Sequence, residues 1–421
     1  MKAVLLCSGL ATRMGGRVKP LVKVGGREIL YRTITLLASH GIDEFVVVVN
    51  SKNRQPIEEF LKRVNVNYRL VVNDHPERGN GYSLYLARNH VSGRFVLAMG
   101  DHVFGQDFVK EALKGEGLIC DGQPRYVSIE EATKVLVEDG KVRDIGKHLT
   151  GFCCVDTGFF VLDESIFEHA EELVREREVV ELSEVVKRAG LKVHRVDGRF
   201  WMDVDTPEDV KRAEKALFSL AVKGEDGFVS RHLNRKISTR ISRALVNRLS
   251  PNHATLVSFL VGIVSSISVL FSVPVAGLIY QLSSILDGVD GEIARVAMKT
   301  SRIGGWVDSI LDRLVDFLFL STLAYTTLKT PQEFFVAMLA IFGSFMVSYV
   351  AEKYRADFGE SIYRRITVKI PGKRDERIFL VMVFCLLYPH IPTVYLFALL
   401  VLMTFARIGE MVVRVSLLEH K

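Results

Sequence analysis

The chain has 421 residues, of which 48% are hydrophobic and 25% are charged, and its formal net charge is +6. This composition excludes a disordered chain, a collagen-like chain and a pure coiled coil, while the length predicts two or three domains. The basic clusters flank apolar segments, which is typical of positive-inside membrane topology and not of nucleic-acid binding.

Residues 1–222 alternate short β-rich runs with amphipathic helical segments, and we predict a cytosolic α/β Rossmann-like domain there. Such alternation is typical of a mostly parallel sheet with helices on both faces, whose ligands bind at the carboxyl ends of the strands. The predicted strands are Lys2–Cys7, Phe45–Asn50, Arg69–Asn73, Phe95–Gly100, Lys134–Glu138, Gly158–Leu162 and Lys192–Val196.

A glycine-rich turn follows the first predicted strand, in the segment LCSGLATRMGGRVKP at residues 6–20. Its free amides, together with Arg13 and Lys19, could cradle phosphates. Further along, Asp101 ends an apolar strand, and Asp203 and Asp205 alternate along another. One carboxylate from each element could hold Mg²⁺ against a triphosphate. For Asp203 or Asp205 taken alone, the alternative is that the side chain caps the start of the next helix.

Together these elements resemble the sugar-phosphate nucleotidyltransferase superfamily over about residues 1–217. The matching positions are Leu6–Gly9, Arg13, Lys19–Leu21, Gly79–Gly81, Gly100–Asp101 and Trp201–Thr206. The resemblance implies attack of a substrate phosphate on the α-phosphorus of a nucleoside triphosphate, with release of pyrophosphate. It implies that Arg13 and Lys19 act on the phosphates and that Asp101, with Asp203 or Asp205, binds one Mg²⁺ or Mn²⁺. The implied substrate-binding residues are Leu6, Ser8, Gly9, Gly79, Asn80, Gly81 and Lys147, although a solvated surface lysine is the alternative for the last.

Residues 223–250 are predicted to form a hinge and a basic amphipathic helix on the inner membrane surface. Apolar residues recur there at helical spacing between basic ones, which is typical of helices that lie in the membrane interface. A plain linker helix is the alternative.

Residues 251–421 predict an all-α six-helix transmembrane domain. Residues 254–286 and 334–351 contain no charged residue, and 378–406 contain only His390, whereas a span needs about 20 apolar residues. The predicted spans are 254–272, 275–294, 303–326, 333–352, 376–388 and 392–415. An even number of spans and the basic loop at 353–377 predict a multi-pass protein of the cell membrane, with the N-terminal domain and the C-terminus in the cytoplasm.

Four carboxylates lie on two neighbouring predicted helices of this half. Asp287 and Asp290 are three residues apart and Asp308 and Asp312 are four apart, so each pair projects from one helix face. Such groups repel one another unless cations bind, and two divalent ions would both balance their charge and suit displacement at phosphorus. The alternative is neutralisation by nearby arginines: Arg295, Arg302 and Arg313.

The spacing D-x-x-D-G-x-x-A-R, followed by G-x-x-x-D-x-x-x-D, is identified as the CDP-alcohol phosphotransferase signature. The matching residues are Asp287, Asp290, Gly291, Ala294, Arg295, Gly304, Asp308 and Asp312. This resemblance covers about residues 230–415 and implies that a hydroxyl attacks the β-phosphorus of a CDP-alcohol while CMP leaves. It implies that the four aspartates hold two Mg²⁺ or Mn²⁺ ions, that Asp312 is the candidate base, and that the membrane domain forms a homodimer.

The same resemblance implies substrate contacts in this half. Asn252, at the start of the first span, belongs to a motif that resembles the family's cytidine-side entry motif. Three residues of the signature are further substrate-binding candidates: Gly291, Ala294 and Arg295. A basic group suits an acceptor that already bears a phosphate, with ordinary positive-inside charge as the alternative: Lys369, Lys373 and Arg374.

One chain with both sites would make a nucleoside-diphospho-alcohol and then consume it, with CTP as the nucleotide of the soluble half. This architecture resembles the archaeal and bacterial bifunctional enzymes that make the osmolyte di-myo-inositol phosphate phosphate. That resemblance implies inositol-1-phosphate and CDP-inositol as further ligands, although no single residue identifies inositol. The alternatives are a phospholipid synthase that uses CDP-diacylglycerol and an inositol phosphate acceptor, and a transporter with a regulatory nucleotidyl-binding domain.

Overall fold

A computed structural model describes residues 1–10, 14–222 and 226–419. The chain divides into two compact units, Met1–Leu217 and Phe218–Lys421.

The first unit combines strands and helices in the alternating order that the sequence predicts. Its strands are β1 (Lys2–Leu6), β2 (Lys23–Val24), β3 (Arg27–Glu28), β4 (Glu44–Asn50), β5 (Asn67–Asn73), β6 (Phe95–Met99), β7 (His102–Phe104), β8 (Gly117–Asp121), β9 (Lys134–Glu138), β10 (Lys141–Gly146), β11 (Cys154–Leu162), β12 (Val193–Arg195) and β13 (Trp201–Asp203). Its helices are α1 (Ile29–Ala38), α2 (Arg54–Val64), α3 (Asn80–Leu86), α4 (Gln106–Ala112), α5 (Ile166–Glu176), α6 (Leu182–Ala189) and α7 (Pro207–Leu220), the last of which runs into the second unit.

Nine strands form one sheet, in the order β10-β9-β11-β6-β1-β4-β5, with β8 beside β11 and β12 beside β8. The half that contains β1, β4, β5 and β6 is parallel. Its inner strands β1, β4 and β6 are almost entirely apolar, as expected for a sheet covered on both faces.

The prediction of a mostly parallel sheet is wrong for the other half, because β11 runs antiparallel to β6, β8 and β9. Strands β9 and β10 are also antiparallel to each other, and for this pair the reason is local. Asp139 and Gly140 join β9 to β10 with positive φ angles of 50° and 73°, a turn that only antiparallel neighbours can use. The sheet is therefore mixed.

A fully buried carboxylate fixes the far edge of this sheet to the acidic strand β13. Asp121, at the end of β8, accepts hydrogen bonds from the indole nitrogen of Trp201 (2.9 Å), the amide of Gly198 (2.9 Å) and the amide of Gln123 (2.8 Å). Trp201 in turn stacks on His102, with ring centroids 6.2 Å apart. This chain of contacts sets the position of the segment that carries Asp203 and Asp205.

The second unit is helical. Its elements are a π-helical turn (Ser230–Asn234) and the helices α8 (Arg235–Leu245), α9 (Pro251–Ser268), α10 (Val273–Val296), α11 (Arg302–Thr327), α12 (Pro331–Phe358), α13 (Ile362–Arg365), α14 (Arg374–Leu386) and α15 (Thr393–Glu419). Hydroxyl side chains cap the starts of three helices: Ser250 for α9, Ser301 for α11 and Thr330 for α12. These caps explain why each helix begins where it does.

At the positions of the six predicted spans lie helices α9 to α12, α14 and α15, but their apolar character differs. By length and composition, Pro331–Phe358 and Thr393–Leu417 are apolar enough to cross a membrane. No other helix among the described residues meets this criterion; α10 and α11 carry the acidic groups, and α14 has only 13 residues. The number of spans therefore stays a prediction.

The predicted amphipathic helix is present as α8 and the turn before it, whereas residues 223–225 of the predicted hinge lie outside the described residues. Three of its apolar side chains, Phe228, Leu233 and Ile237, are exposed. The opposite face is polar, and it packs on α10. The helix thus attaches through its polar face by hydrogen bonds, while its position on a membrane surface stays a prediction.

A buried glutamate makes that attachment. Glu292 on α10 is fully buried, and its carboxylate accepts from Ser238 Oγ (2.7 Å), Ser242 Oγ (2.6 Å) and Arg235 Nη1 (2.8 Å). A buried carboxylate is stable only when it is paired and hydrogen-bonded. No pattern in the sequence predicted this network, because Glu292 stands at an unspecified position of the signature.

We expect Asp121→Ala to lower the free energy of unfolding of the first unit by about 3 kcal/mol, because each buried donor left without an acceptor costs about 1–3 kcal/mol. The measurement is thermal unfolding of the full chain followed by Trp201 fluorescence in a Trp306→Phe background. Asp43→Ala, at an exposed position, is the matched control. A loss of stability no greater than that of the control would contradict the assignment.

Candidate active sites

The loop that follows β1 is held from beneath by two asparagines. The side-chain amide of Asn50 donates to the carbonyl oxygens of Ser8 (2.9 Å) and Gly9 (3.3 Å), and that of Asn53 donates to the carbonyl of Cys7 (2.7 Å). The backbone carbonyls are thereby satisfied within the protein. Neither asparagine was predicted, although Asn50 ends β4, the strand next to β1, and Asn53 follows three residues later. Arg13, the other predicted cation of this loop, lies outside the described residues.

Lys19 brings the two acidic elements of the first unit together. Its Nζ lies 2.5 Å from Asp205 Oδ1 and 3.5 Å from Asp101 Oδ2. Burial lowers the pKa of Lys19, but the charges of Asp101 and Asp205 outweigh that effect and raise it. The ammonium group therefore stays charged at neutral pH, as a group that neutralises phosphate must.

Asp101 is ionised and fixed in orientation. Its Oδ1 lies 2.9 Å from Nδ1 of His102, the neighbouring residue, which was not predicted. Burial raises the pKa of Asp101, but the hydrogen bond and charge of His102 and the charge of Lys19 lower it to about 2. An oriented, permanently charged carboxylate fits a hard divalent cation.

Asp203 and Asp205 have different surroundings. Asp203 pairs with His102 across the two strands β13 and β7, which places it beside Asp101, whereas Asp205 contacts Lys19. The start of α7 is capped by Thr206 and Asp209, whose side chain accepts from the Thr206 amide at 2.9 Å. The N-cap alternative for the two acidic residues is therefore not needed to explain the helix start.

The predicted Gly79–Gly81 loop has a structural requirement of its own. A Cβ at Gly79 would lie 2.5 Å from the carbonyl oxygen of Val180, and one at Gly81 would lie 2.8 Å from it. Gly79 also has a φ of +91°, and Asn80 begins α3. Only glycine fits this close approach. A role near the nucleotide base stays a prediction, as does that of Lys147, whose side chain is exposed after β10.

In the second unit, the carboxylates of α10 and α11 converge. Asp287, Asp308 and Asp312 each place one oxygen atom within 4.8 Å of the others. Asp290 is turned toward α9, where its Oδ2 accepts from Thr255 Oγ1 at 2.5 Å. Three of the four predicted ligands thus form one cluster, and the fourth stands at its edge.

The principal cation at this cluster is Arg374. Its Nη1 lies 2.8 Å from Asp312 Oδ1 and 3.3 Å from Asp287 Oδ2, while the rest of the guanidinium contacts Asp316 at 3.1–3.2 Å. Asp316 also accepts from the hydroxyl of Tyr280 (2.8 Å). Asp316 was not predicted, although it lies one helical turn beyond Asp312.

The predicted alternative was that Arg295, Arg302 and Arg313 neutralise the four carboxylates. The structure shows this only in part. Arg313 lies 3.5 Å from Asp312, while Arg295 donates to the carbonyl of Ala221 at 2.7 Å. The described ion pairs of the cluster involve two guanidinium groups, Arg374 and Arg313, whereas the cluster has five carboxylates, counting Asp316 with the four predicted ones. The remaining negative charge and the all-oxygen donor set suit divalent cations such as Mg²⁺.

Two cavities flank the cluster, and Asp308 lines both. The larger cavity, of about 600 Å³, is lined by four residues predicted to bind substrate: Asn252, from the motif of the cytidine side, and Gly291, Ala294 and Arg295. The smaller cavity, of about 290 Å³, contains Lys373 and Arg374 from the predicted acceptor group. Lys369 is not among its lining residues; its backbone amide instead donates to Glu410.

Comparisons with known proteins match different families to the two parts of the chain. A model of the MobA-like NTP transferase domain matches residues 3–116, and one of the CDP-alcohol phosphatidyltransferase family matches residues 248–408. Among solved structures, the inositol-1-phosphate CTP transferase from T. maritima is 27% identical, with a TM-score of 0.47; the match covers 51% of this chain and 95% of that one.

Full-length relatives span both units. The bifunctional IPC transferase and DIPP synthase of Archaeoglobus fulgidus is 61% identical over 92% of this chain and 78% of its own length. The protein of the same name from Thermococcus kodakarensis is 53% identical over 91% of this chain and 90% of its own length. The chain therefore belongs to the family of bifunctional IPC transferases and DIPP synthases.

Proposed function

We propose that the first unit transfers a cytidylyl group from CTP to inositol-1-phosphate, giving CDP-inositol and pyrophosphate. The second unit then transfers the inositol-phosphate group of CDP-inositol to a second inositol-1-phosphate and releases CMP, so that the product is di-myo-inositol phosphate phosphate. The observation that carries this proposal is the presence, in one chain of this family, of a cation-bridged acidic site on a nucleotidyltransferase sheet and a carboxylate cluster between two cavities.

In the first site, a phosphate oxygen of inositol-1-phosphate attacks the α-phosphorus of CTP, and the bond to the pyrophosphate oxygen breaks. The amides around Ser8 and Gly9 face the nucleotide, and Lys19 with Arg13 neutralises its phosphates. Asp101 and Asp203 are the residues that would hold one Mg²⁺ or Mn²⁺, which would offset the charge of the triphosphate. Asp205 keeps Lys19 in place, which is why we favour Asp203 as the second ligand.

In the second site, a hydroxyl of the acceptor attacks the β-phosphorus of CDP-inositol, and the bond to the CMP oxygen breaks. Asp312 takes the hydroxyl proton, and the contact with Arg374 stabilises its ionised form. The aspartates of α10 and α11 would hold two divalent ions, which would stabilise the attacking and leaving oxygens. The larger cavity receives the cytidine nucleotide, and Lys373 and Arg374 face the phosphate of the acceptor in the smaller one.

The same proposal places the second unit in the cell membrane. The six long helices act as spans, with both termini in the cytoplasm, and a homodimer forms through the membrane domain. Two apolar helices, the exposed apolar residues of α8 and the basic residues between α12 and α14 support this arrangement. Nucleic acid is not a partner.

A second candidate function is phospholipid synthesis from CDP-diacylglycerol and an inositol phosphate. The observation that favours it is the apolar part of the larger cavity, where Leu256, Ile303 and Val307 are all exposed. An acyl chain would find such a surface, whereas a free polyol would not require it.

Product analysis distinguishes these two functions. We expect the purified full chain, given CTP, Mg²⁺ and inositol-1-phosphate in detergent without lipid, to form pyrophosphate, CMP and a soluble phosphodiester of two inositols. The measurement is mass spectrometry of the aqueous phase. Formation of CMP only after addition of CDP-diacylglycerol would instead establish the phospholipid synthase.

The two half-reactions should be separable by mutation. We expect Lys19→Ala to lower CDP-inositol formation by about 10²-fold or more, because it removes a charge from the phosphate site, while CMP release from supplied CDP-inositol is unchanged. Asp308→Asn should lower CMP release from supplied CDP-inositol and leave CDP-inositol formation unchanged. Lys23→Ala and Asp357→Asn, at exposed positions, are the matched controls. Loss of both half-reactions in either site variant would argue against two independent centres.

Removal of divalent ions should stop both reactions, because carboxylate clusters of this kind act through bound metal. We expect chelation to abolish activity and Mg²⁺ or Mn²⁺ to restore it. At subsaturating metal, the rate of CMP release from supplied CDP-inositol should rise with the second power of the free ion concentration. Unchanged CMP release in excess chelator would contradict the metal assignment.

A further inference from the structure

The smaller cavity has one wall that the proposed chemistry does not use. Charged groups make up much of its lining, among them Asp312, Lys373 and Arg374. The lining also includes neutral polar side chains from the π-helical turn, α8 and α10: Ser230, Asn234, Ser238 and Ser284. We call these four residues the polar wall.

Asn234 is the most constrained member of the polar wall. It is only 4% exposed, and its Oδ1 accepts from Nε2 of Gln281 at 2.9 Å, which fixes the orientation of the amide. Its Nδ2 then faces Ser284, and donates to the Oγ atom of that residue over a long distance of 3.5 Å. A side-chain amide has two N–H donors, so Asn234 keeps donor capacity for a ligand.

The polar wall also offers acceptors, and its own four side chains are uncharged. Ser238 donates its proton to Glu292 at 2.7 Å, which leaves the lone pairs of its oxygen for an incoming hydroxyl. The nearby guanidinium of Arg235 is compensated by Asp226 and Glu292, each at 2.8 Å. A surface of fixed donors and acceptors without charge matches hydroxyl groups, because each hydroxyl both donates and accepts.

We infer that Asn234 and Ser284 bind ring hydroxyls of the acceptor, so that the smaller cavity selects a polyhydroxylated alcohol phosphate over a short-chain one. The phosphate faces Lys373 and Arg374, and the ring faces the polar wall. This inference rests on the proposed function of the second unit. A shorter acceptor leaves buried polar groups without partners, and such sites discriminate strongly against ligands that lack the hydroxyl.

The test measures CMP release by the full chain from CDP-inositol, with inositol-1-phosphate as the varied acceptor and glycerol 3-phosphate as a competing ligand. We expect Asn234→Ala and Ser284→Ala each to raise the KM for inositol-1-phosphate about 10-fold, the effect of one lost hydrogen bond to a ligand. The kcat, the KM for CDP-inositol and the inhibition constant of glycerol 3-phosphate should not change. Ser242→Ala is the matched control, because Ser242 bonds to the same Glu292 but does not line the cavity.

Each outcome decides between distinct conclusions. An unchanged KM for inositol-1-phosphate in both folded variants, with thermal stability equal to that of the control, would overturn the inference. A parallel rise in the KM and in the inhibition constant of glycerol 3-phosphate would overturn it as well, since it would mean that the polar wall only supports the shape of the cavity. Absence of CMP release by the unmodified chain would refute the proposed function itself, before any variant is compared.

Discussion

The second unit depends on the repulsion among carboxylates that two adjacent helices force together. The helical period places Asp287 and Asp290 on one face of α10, and Asp308 and Asp312 on one face of α11. Where these faces meet, like charges would separate the helices unless cations were present. Arg374 supplies part of that charge from α14, and Asp316 and Tyr280 hold its other side. The negative charge that Arg374 leaves uncompensated makes the cluster suited to divalent ions.

In the first unit, too, acidic side chains lie close together, and here a lysine compensates their charge. Its acidic elements come from separate strands, and Lys19 stands between Asp101 and Asp205. His102 fixes Asp101 from the side, and Trp201 stacks on His102. Because Asp121 anchors Trp201 from the sheet edge, the orientation of a proposed metal ligand depends on a buried hydrogen bond several strands away. Packing and chemistry are linked here through one short chain of contacts.

The two proposed reactions share CDP-inositol, which one site forms and the other consumes. Both sites must bind inositol-1-phosphate, but they treat it differently: the first uses its phosphate as the nucleophile, and the second uses a hydroxyl. That difference accounts for the different surroundings of the two sites. A nucleophilic phosphate needs cations and an ionised carboxylate, whereas a reacting hydroxyl needs a base, Asp312, and a wall that orients the ring.

The sequence by itself determined the two-unit organisation, the positions of the long helices and the four carboxylates of α10 and α11, because helical spacing and charge-free stretches are properties of neighbouring residues. It also located Lys19 and Asp101 at the ends of a turn and a strand. The tertiary structure alone decided the antiparallel half of the sheet, the contacts of Asn50 and Asn53 beneath the loop, and the contacts of Asp316, Glu292 and Asn234. These depend on groups far apart in the chain, and a single buried acid or amide carries no local pattern; its partners exist only once the helices and strands have packed.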